Sequence, residues 1–177
     1  MNNGRISVRY ARALIAYAKD NHCEEQVYAE MQILTQHYES CIQQLDSILR
    51  NPMIKRDEKR NLMTTLAGEK VSECTAHFFQ FIVDKGRETD IYLIGMMFQE
   101  MYRKEKGILI SKIATAVELP QKTMEQIQAF LEQTYKTRIE MHTSIQPELI
   151  GGFTIDIENS RMDASIAGQL NEMRKAL

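Results

Sequence analysis

Several features of common protein classes are missing from this sequence. It contains no tryptophan and only three prolines, and its net charge is −2, from 22 basic and 24 acidic residues. This balance argues against nucleic-acid binding through phosphate neutralisation and against a polybasic membrane anchor. The longest apolar block, residues 91–98, is far shorter than the ~20 residues of a membrane span. We therefore expect any membrane contact to be indirect.

Cysteine is also scarce. Cys23, Cys41 and Cys74 form no CxxC pair, and an odd count predicts free thiols in a reducing compartment. The first residues lack the apolar core of a secretory signal and are too few for an Arg-rich transit peptide. These features predict a cytoplasmic protein that is made without processing.

Motifs of well-known chemistry are missing as well: there is no GxxxxGK[ST], GxGxxG, GxSxG or HExxH. His37 and Cys41 are four residues apart and could face one metal ion, but two ligands do not make a zinc site. Asp156 and Glu158 could act as paired carboxylates, although a solvated strand face explains them more simply. An enzyme using Cys23 or the His37–Cys41 pair stays an alternative. We expect no catalytic residue, cofactor or metal.

The pattern of apolar residues divides the chain near residue 105. Helical spacing precedes this point, and strands of period two alternate with helices after it. A charged hinge is predicted at residues 103–107. Helices are predicted over residues 6–19, 27–45, 62–66, 72–83 and 91–101, strands over 108–117, 139–145 and 153–157, and later helices from Pro120 and over 166–177. The fold class is thus mainly α, with a helical bundle over residues 1–105 and a small α/β domain over 106–177.

Two of the helices are more apolar than a small bundle requires. The first carries two apolar faces, and the helix that contains residues 77–83 has large apolar residues over more than one face. A surface helix normally needs one apolar stripe. Either both helices are central and fully buried, or they lie side by side and form an apolar groove that accepts the amphipathic helix of a partner.

Four landmarks, in order, resemble one known family. They are Arg9 to Leu14 (RYARAL), Leu49 to Pro52 (LRNP) with Ile54 and Lys59, Phe81 to Arg87 (FIVDKGR), and Pro147 to Ile155 (PELIGGFTI) followed by Asp163 to Ile166 (DASI) and Leu170. Together they resemble the delta subunit of the F-type ATP synthase, whose mitochondrial relative is the oligomycin sensitivity-conferring protein. The last block is the most specific, and the four cover nearly the whole chain.

The resemblance implies a six-helix N-terminal bundle and a smaller α/β C-terminal domain. It also implies a non-catalytic stator subunit that joins the catalytic head to the peripheral stalk, so that rotation is coupled to ATP synthesis or hydrolysis. The expected partners are the N-terminal segments of the α subunits, bound between the first and fifth helices, and the C-terminal end of the b subunit. The expected location is peripheral, on the cytoplasmic face of a bacterial inner membrane. The alternative is a stand-alone helix-binding adaptor.

The resemblance carries specific residues with it. The partner-binding residues that we expect in the α-subunit groove are Tyr10, Ala13, Leu14, Tyr17, His77, Phe78, Phe81 and Ile82. Gly151 and Gly152 enter a strand, where glycine marks a structural turn or a direct contact with a partner. Asp163 and Ser165 are expected to cap the last helix and so to support the fold.

Overall fold

The architecture is that of a computed structural model, which describes residues 3–68, 70–158 and 160–176. The chain forms two compact units, Met1–Lys104 and Glu105–Leu177. In the described residues, no helix is long and apolar enough to cross a membrane. The mainly helical fold class, with a small sheet in the C-terminal part, is confirmed.

The N-terminal unit is a bundle of six α-helices within the described residues. They are α1 (Asn3–Asp20), α2 (Glu24–Ser40), α3 (Ile42–Arg50), α4 (Arg56–Leu66), α5 (Glu73–Asp84) and α6 (Ile91–Lys106), with a 3-10 turn at Glu88–Asp90 before α6. Large apolar side chains from all six helices are buried, among them Leu14, Met31, Leu49, Met63, Phe79 and Phe98. Their burial is the main term that stabilises the bundle.

Close helix packing at one point requires a glycine. A Cβ atom on Gly95 of α6 would lie 2.9 Å from Cγ2 of Thr35 in α2. Nearby, the Gln99 side chain donates to the carbonyl of Met31 (3.0 Å) and to the hydroxyl of Thr35 (2.8 Å). A buried amide that satisfies a helix carbonyl in this way holds α6 in register against α2.

A buried ion pair connects one of the landmarks found in the sequence to the turn before α6. The Nζ atom of Lys59 donates to the Leu49 carbonyl at 2.6 Å and to Oε1 of Glu88 at 2.7 Å. Both charged side chains are largely buried. Leu49 and Lys59 of this landmark, together with Glu88, therefore hold α3, α4 and the turn before α6 together, which is a structural role.

The C-terminal unit is a four-stranded sheet with two helices in the described residues. Its elements are β1 (Leu109–Thr115), α7 (Gln121–Tyr135), β2 (Ile139–Ile145), β3 (Phe153–Ile157), β4 (Ser160–Asp163) and α8 (Ile166–Ala176). The strand order is β2-β1-β3-β4. Strands β1 and β2 are parallel and joined through α7, whereas β3 pairs antiparallel with both β1 and β4.

The core of this unit is small. Its buried members are Ile113, Leu131, Ile139, Ile155 and Ile157, supplied by three strands and α7. Ile113 faces Ile155 across the β1–β3 pair, so their side chains lie on the same face of the sheet. A core of this size leaves little reserve of hydrophobic stabilisation.

Several boundaries differ from the sequence prediction. The single helix predicted over residues 27–45 is interrupted at Cys41, where a turn separates α2 from α3. The charged residues expected to form a hinge instead extend α6 to Lys106, and Gly107 follows with a φ of +68°. Strand β4 was not predicted, because all four of its side chains are exposed and show no alternation. Leu177, expected on the apolar face of the last helix, lies outside the described residues.

The prediction of three free thiols is wrong for two of them. Cys23, in the α1–α2 turn, and Cys74, in the first turn of α5, form a disulfide, whereas Cys41 is an exposed free thiol. The pair is 51 residues apart in the sequence, so only the tertiary fold brings it together. His37 lies 2.8 Å from the Leu66 carbonyl through Nδ1. No group of three or more potential metal ligands occurs in the parts of the chain that the structure describes.

Candidate binding groove

An apolar groove lies between α1 and α5. Its lining consists of Ala13, Leu14, Tyr17, His77, Phe78 and Phe81, and its volume is about 350 Å³. Two contacts give the direction of the helices: the Tyr10 ring lies 5.8 Å from the Phe81 ring, and Tyr17 contacts His77 one to two turns further along. The two helices are therefore antiparallel. We call this surface the α1–α5 groove.

The groove has a buried floor and an exposed rim. Leu14 is only 1% exposed and Phe78 is 6% exposed, so both belong to the floor. Tyr17 at 39% and Phe81 at 44% are exposed and form the rim on opposite helices. Large aromatic side chains that remain exposed beside an apolar floor are typical of protein-binding surfaces rather than of a closed core.

The two polar side chains in the lining of the groove, Tyr17 and His77, are hydrogen-bonded to each other. Tyr17 Oη and His77 Nδ1 are 3.2 Å apart and form a hydrogen bond. The other four lining residues are apolar, so the lining that the described residues form contains no carboxylate, lysine or cysteine. Such a surface suits the burial of apolar side chains, and it lacks the paired acid, base or nucleophile that catalysis requires.

Two of the eight predicted groove residues are not part of the lining. Ile82 is 0% exposed and packs in the bundle core, so its assignment to the groove is wrong. It follows Phe78 by four residues, but it points further towards the core. Tyr10 is not among the lining residues, although its ring contacts Phe81. It therefore supports the rim of the groove at the end opposite to Tyr17.

The apolar character of the two helices has a simple geometric explanation. In α1, Ala11, Ile15 and Ala18 are buried in the bundle, while Ala13 and Tyr17 remain exposed on a second face. In α5, Phe79 and Ile82 are completely buried, while Phe81 is on the groove side. One face of each helix thus contributes to the core, and another contributes to the groove.

The position of α5 is determined by a cap and a buried carboxylate. The hydroxyl of Ser72 accepts from the Thr75 amide at 3.3 Å and is the N-cap of the helix. The buried side chain of Glu30 in α2 accepts from the amide and the hydroxyl of Ser72, at 2.6 and 2.9 Å. These bonds hold the first turn of α5 against α2.

The glycine pair in the C-terminal unit occupies a tight turn. Gly152 has a φ of +74°, and a Cβ atom there would lie 2.1 Å from the Ala164 carbonyl oxygen. A Cβ atom on Gly151 would lie 2.6 Å from Cδ1 of Ile166. The Ile166 amide donates to the Gly151 carbonyl at 3.0 Å. The pair therefore allows the chain to pass close to the start of α8.

Asp163 and Ser165 organise the beginning of α8. The Ser165 hydroxyl accepts from the Gly168 amide at 2.9 Å, which is an N-cap bond. The hydroxyl and amide of Ser165 both donate to Oδ1 of Asp163, at 2.6 and 2.9 Å. These bonds, first that of the hydroxyl and then that of the amide, hold the pKa of Asp163 below its usual value.

The sequence pattern did not indicate which side of α8 is exposed. Ile166, Leu170 and Met173 are spaced as one helical stripe, which predicts a buried face. All three are nevertheless exposed, at 44%, 52% and 64%. Apolar periodicity identifies the face of a helix that avoids water, but it does not distinguish the protein's own core from a partner.

The chain is similar to known proteins over nearly its whole length. Residues 6–177 match the family "ATP synthase delta (OSCP) subunit". The chain is similar to the ATP synthase subunit delta of Parabacteroides distasonis, with 37% identity over 100% of this chain and 98% of that protein. With that of Bacteroides fragilis it shares 35% identity, over 99% and 95% of the two chains.

Similarity extends to a solved structure. The fold resembles a chain in the mitochondrial ATP synthase hexamer of Toxoplasma gondii, with a TM-score of 0.65 over 96% of both chains. The sequences are 17% identical, so this comparison concerns the fold alone.

Proposed function

Because the chain belongs to the ATP synthase delta (OSCP) subunit family, we propose that its α1–α5 groove binds the N-terminal helical segments of the ATP synthase α subunits. The chain is a non-catalytic stator subunit of an F-type ATP synthase and associates with other subunits of that complex. It links the catalytic head to the peripheral stalk, so that the head does not turn with the rotor.

The observation that carries the proposal is the composition of the groove. Six residues from two antiparallel helices surround about 350 Å³ of mainly apolar space, open to solvent. An amphipathic helix binds such a groove by inserting apolar side chains at helical spacing. Ala13 at the rim has a small side chain and is exposed, so a helix backbone can approach α1 closely at this point.

We place the stalk contact on the C-terminal unit. Its α8 presents the exposed stripe of Ile166, Leu170 and Met173, a pattern that suits a second helix packed alongside. The proposed partner for this stripe is the C-terminal end of the b subunit. Attachment at two separate sites would raise the overall hold on the stator far above that of either contact, through effective concentration.

A stator has to resist torque between catalytic steps, so both contacts need slow dissociation. Nanomolar binding corresponds to about 12 kcal/mol, and buried apolar anchors in a well-packed groove supply energies of that scale. With the complex at the membrane, the chain would be peripheral, and we propose the cytoplasmic face of a bacterial inner membrane. Its membrane association would be indirect, through its partners.

The test is a calorimetric titration of the full chain with a peptide that corresponds to the N-terminus of its own α subunit. We expect saturable one-to-one binding with a negative heat-capacity change, which is the mark of apolar burial. The variant Ala13→Asp places a carboxylate in the groove and should weaken binding by at least about 30-fold, which is roughly 2 kcal/mol. The control Ala16→Asp changes an exposed residue of the same helix outside the lining and should bind normally.

Equal weakening by both variants would mean that charge on α1, rather than the groove, controls binding. Absence of binding to both the peptide and the intact head would overturn the proposal. Binding to an unrelated helix with the same affinity would instead favour the stand-alone adaptor.

A further inference from the structure

We propose that Cys23 and Cys74 are a redox-modification site that controls the rigidity of the α1–α5 groove through a reversible disulfide. The groove has three cross-connections in order along its length. The Tyr10 and Phe81 rings meet at one end, and Tyr17 and His77 form a hydrogen bond further along. The disulfide between Cys23 and Cys74 follows beyond them. It thus joins the two helices at the end where α1 ends and α5 begins.

The disulfide connects the α1–α2 turn to the first turn of α5, and different bonds hold these two segments in place. The first turn of α5 is held by the bonds from Ser72 to Glu30, whatever the state of the cysteines. Cys23 lies in the α1–α2 turn, where its amide donates to the Ala18 carbonyl at 2.9 Å and the preceding His22 has a φ of +53°. Reduction would remove the covalent link between the end of α1 and the first turn of α5, so that only packing and the Tyr17–His77 hydrogen bond would hold α1 against α5 at this end. The expected consequence is a groove that fluctuates more in width.

The different exposure of Cys23 and Cys74 determines which thiol reacts first with a small-molecule disulfide. Cys74 is 8% exposed, whereas Cys23 is partly exposed. The Cys23 thiolate would attack one sulfur of a small-molecule disulfide, of the glutathione class, and release one small thiol. The Cys74 thiolate would then attack the sulfur of Cys23 in the mixed disulfide and release the second small thiol. Two electrons pass to the small disulfide, and the two cysteine protons end on the released thiols.

The inference concerns regulation of the groove and, for its effect on binding, rests on the proposed function. A tethered groove is already arranged for its partner, so less conformational freedom is lost on binding. We expect the oxidised chain to bind the α-subunit peptide about threefold to tenfold more tightly than the reduced chain. The difference should reside mainly in the dissociation rate.

The first test uses the full chain with Cys41→Ser, which removes the exposed third thiol. The chain is equilibrated with reduced and oxidised glutathione at a series of ratios and then alkylated, and the two remaining thiols are counted by mass spectrometry. We expect both to disappear together in one two-electron transition. Persistence of both thiols, or a glutathione adduct on Cys23 alone, at the most oxidising ratio would overturn the proposal.

The second test does not depend on any partner. Hydrogen exchange of the oxidised and reduced chain should differ most at the end of α1, at residues 17–21, with faster exchange after reduction. The loop closed by the disulfide is long, at 51 residues, so the thermal midpoint should fall by roughly 10 °C or more on reduction. Cys23→Ser should behave like the reduced chain in both redox states. Unchanged exchange and midpoint would contradict the proposal.

The third test separates this inference from the proposed function. The α-subunit peptide is titrated into oxidised and reduced chain. Equal affinity in both states would overturn redox control and leave the proposed function intact. If the peptide and the intact head both failed to bind in either state, the proposed function would fail, and hydrogen exchange alone would decide whether the disulfide stiffens the groove. If Cys74→Ser fails to fold, Cys23→Ser and chemical reduction still provide the comparison.

Discussion

The two units of this chain use apolar residues in opposite ways. In the N-terminal unit most large apolar side chains are buried, and the exposed ones include the rim of one defined groove. In the C-terminal unit, Ile113 and Ile139 are the two large apolar side chains less than 2% exposed among the described residues. Its surface carries Val117, Phe130, Ile150 and Met173, each more than 60% exposed. The bundle therefore has a core with an apolar groove on its surface, while the α/β unit has a small core and leaves more of its large apolar side chains exposed.

The two units also differ in the burial of an ion pair. The bundle contains the buried pair Lys59–Glu88, whereas the pair Arg161–Asp156 in the C-terminal unit is exposed and its charged atoms are 3.7 Å apart. Exposed pairs contribute little to stability because water and salt screen them. Loss of one partner of a buried pair is costly because the other charge stays desolvated.

The largest expected effect is that of Lys59→Ala. It leaves the Glu88 carboxylate buried without its cation and the Leu49 carbonyl without its donor, so we expect the bundle to lose about 3–5 kcal/mol of unfolding free energy. Guanidinium unfolding followed by circular dichroism measures the loss, and hydrogen exchange assigns it to one unit. The matched control, Arg161→Ala, should cost no more than about 0.5 kcal/mol. Equal effects would show that burial does not distinguish the two pairs.

The next effect is that of Gly152→Ala in the C-terminal unit. The new Cβ atom would collide with the Ala164 carbonyl at a residue whose φ is +74°, which adds a steric clash to the strain of a left-handed backbone. The control is Gly86→Ala in the bundle, where φ is +62° but the space is open. The control should cost about 1–2 kcal/mol, for strain alone, and Gly152→Ala at least about twice that. Hydrogen exchange measures both losses: that of β3 and α8 in Gly152→Ala, and that of α5 in Gly86→Ala.

A smaller effect is expected from Asp163→Asn, and it depends on pH. The bonds from Ser165 lower the pKa of the Asp163 carboxyl in the folded state. The ionised carboxylate therefore stabilises the fold at any pH above its unfolded-state pKa, which is near 3.9. This stabilisation is lost as the pH falls through the lower pKa of the folded state. The stability of wild type should therefore exceed that of the variant above about pH 4, and the difference should shrink in more acidic solution. Guanidinium midpoints from pH 2.5 to 6 measure it. A constant difference across this range would contradict the assignment.

Much of the fold could be predicted because it depends on local spacing. The alternation in Ile139–Ile145 and Phe153–Ile157 gave β2 and β3 with their observed bounds, and the helix predicted over residues 72–83 agrees with α5 and its N-cap Ser72 to within one residue. Strand β4 was not predicted because it is held by backbone pairing with β3 and buries no side chain. The break at Cys41 was missed because the apolar stripe continues through it.

For the site, the sequence identified the two helices better than the individual side chains. Ala13, Leu14, Tyr17, His77, Phe78 and Phe81 line one cavity, but Ile82 is in the core. Helical spacing gives the width of an apolar face, and the neighbouring helices determine where core ends and groove begins. The Cys23–Cys74 pair was not predicted, since nothing local relates two residues 51 positions apart.

The most direct test of the account is assembly of the full chain with the catalytic head and the soluble part of the b subunit, followed by sedimentation analysis. Wild type should form one complex that contains head, chain and b. Ala13→Asp should release the head and keep b, and Leu170→Asp should release b and keep the head, while Gln169→Asp on the same helix should bridge both. A complex that survives both variants, or that loses both partners with either, would contradict the assignment of one partner to each unit.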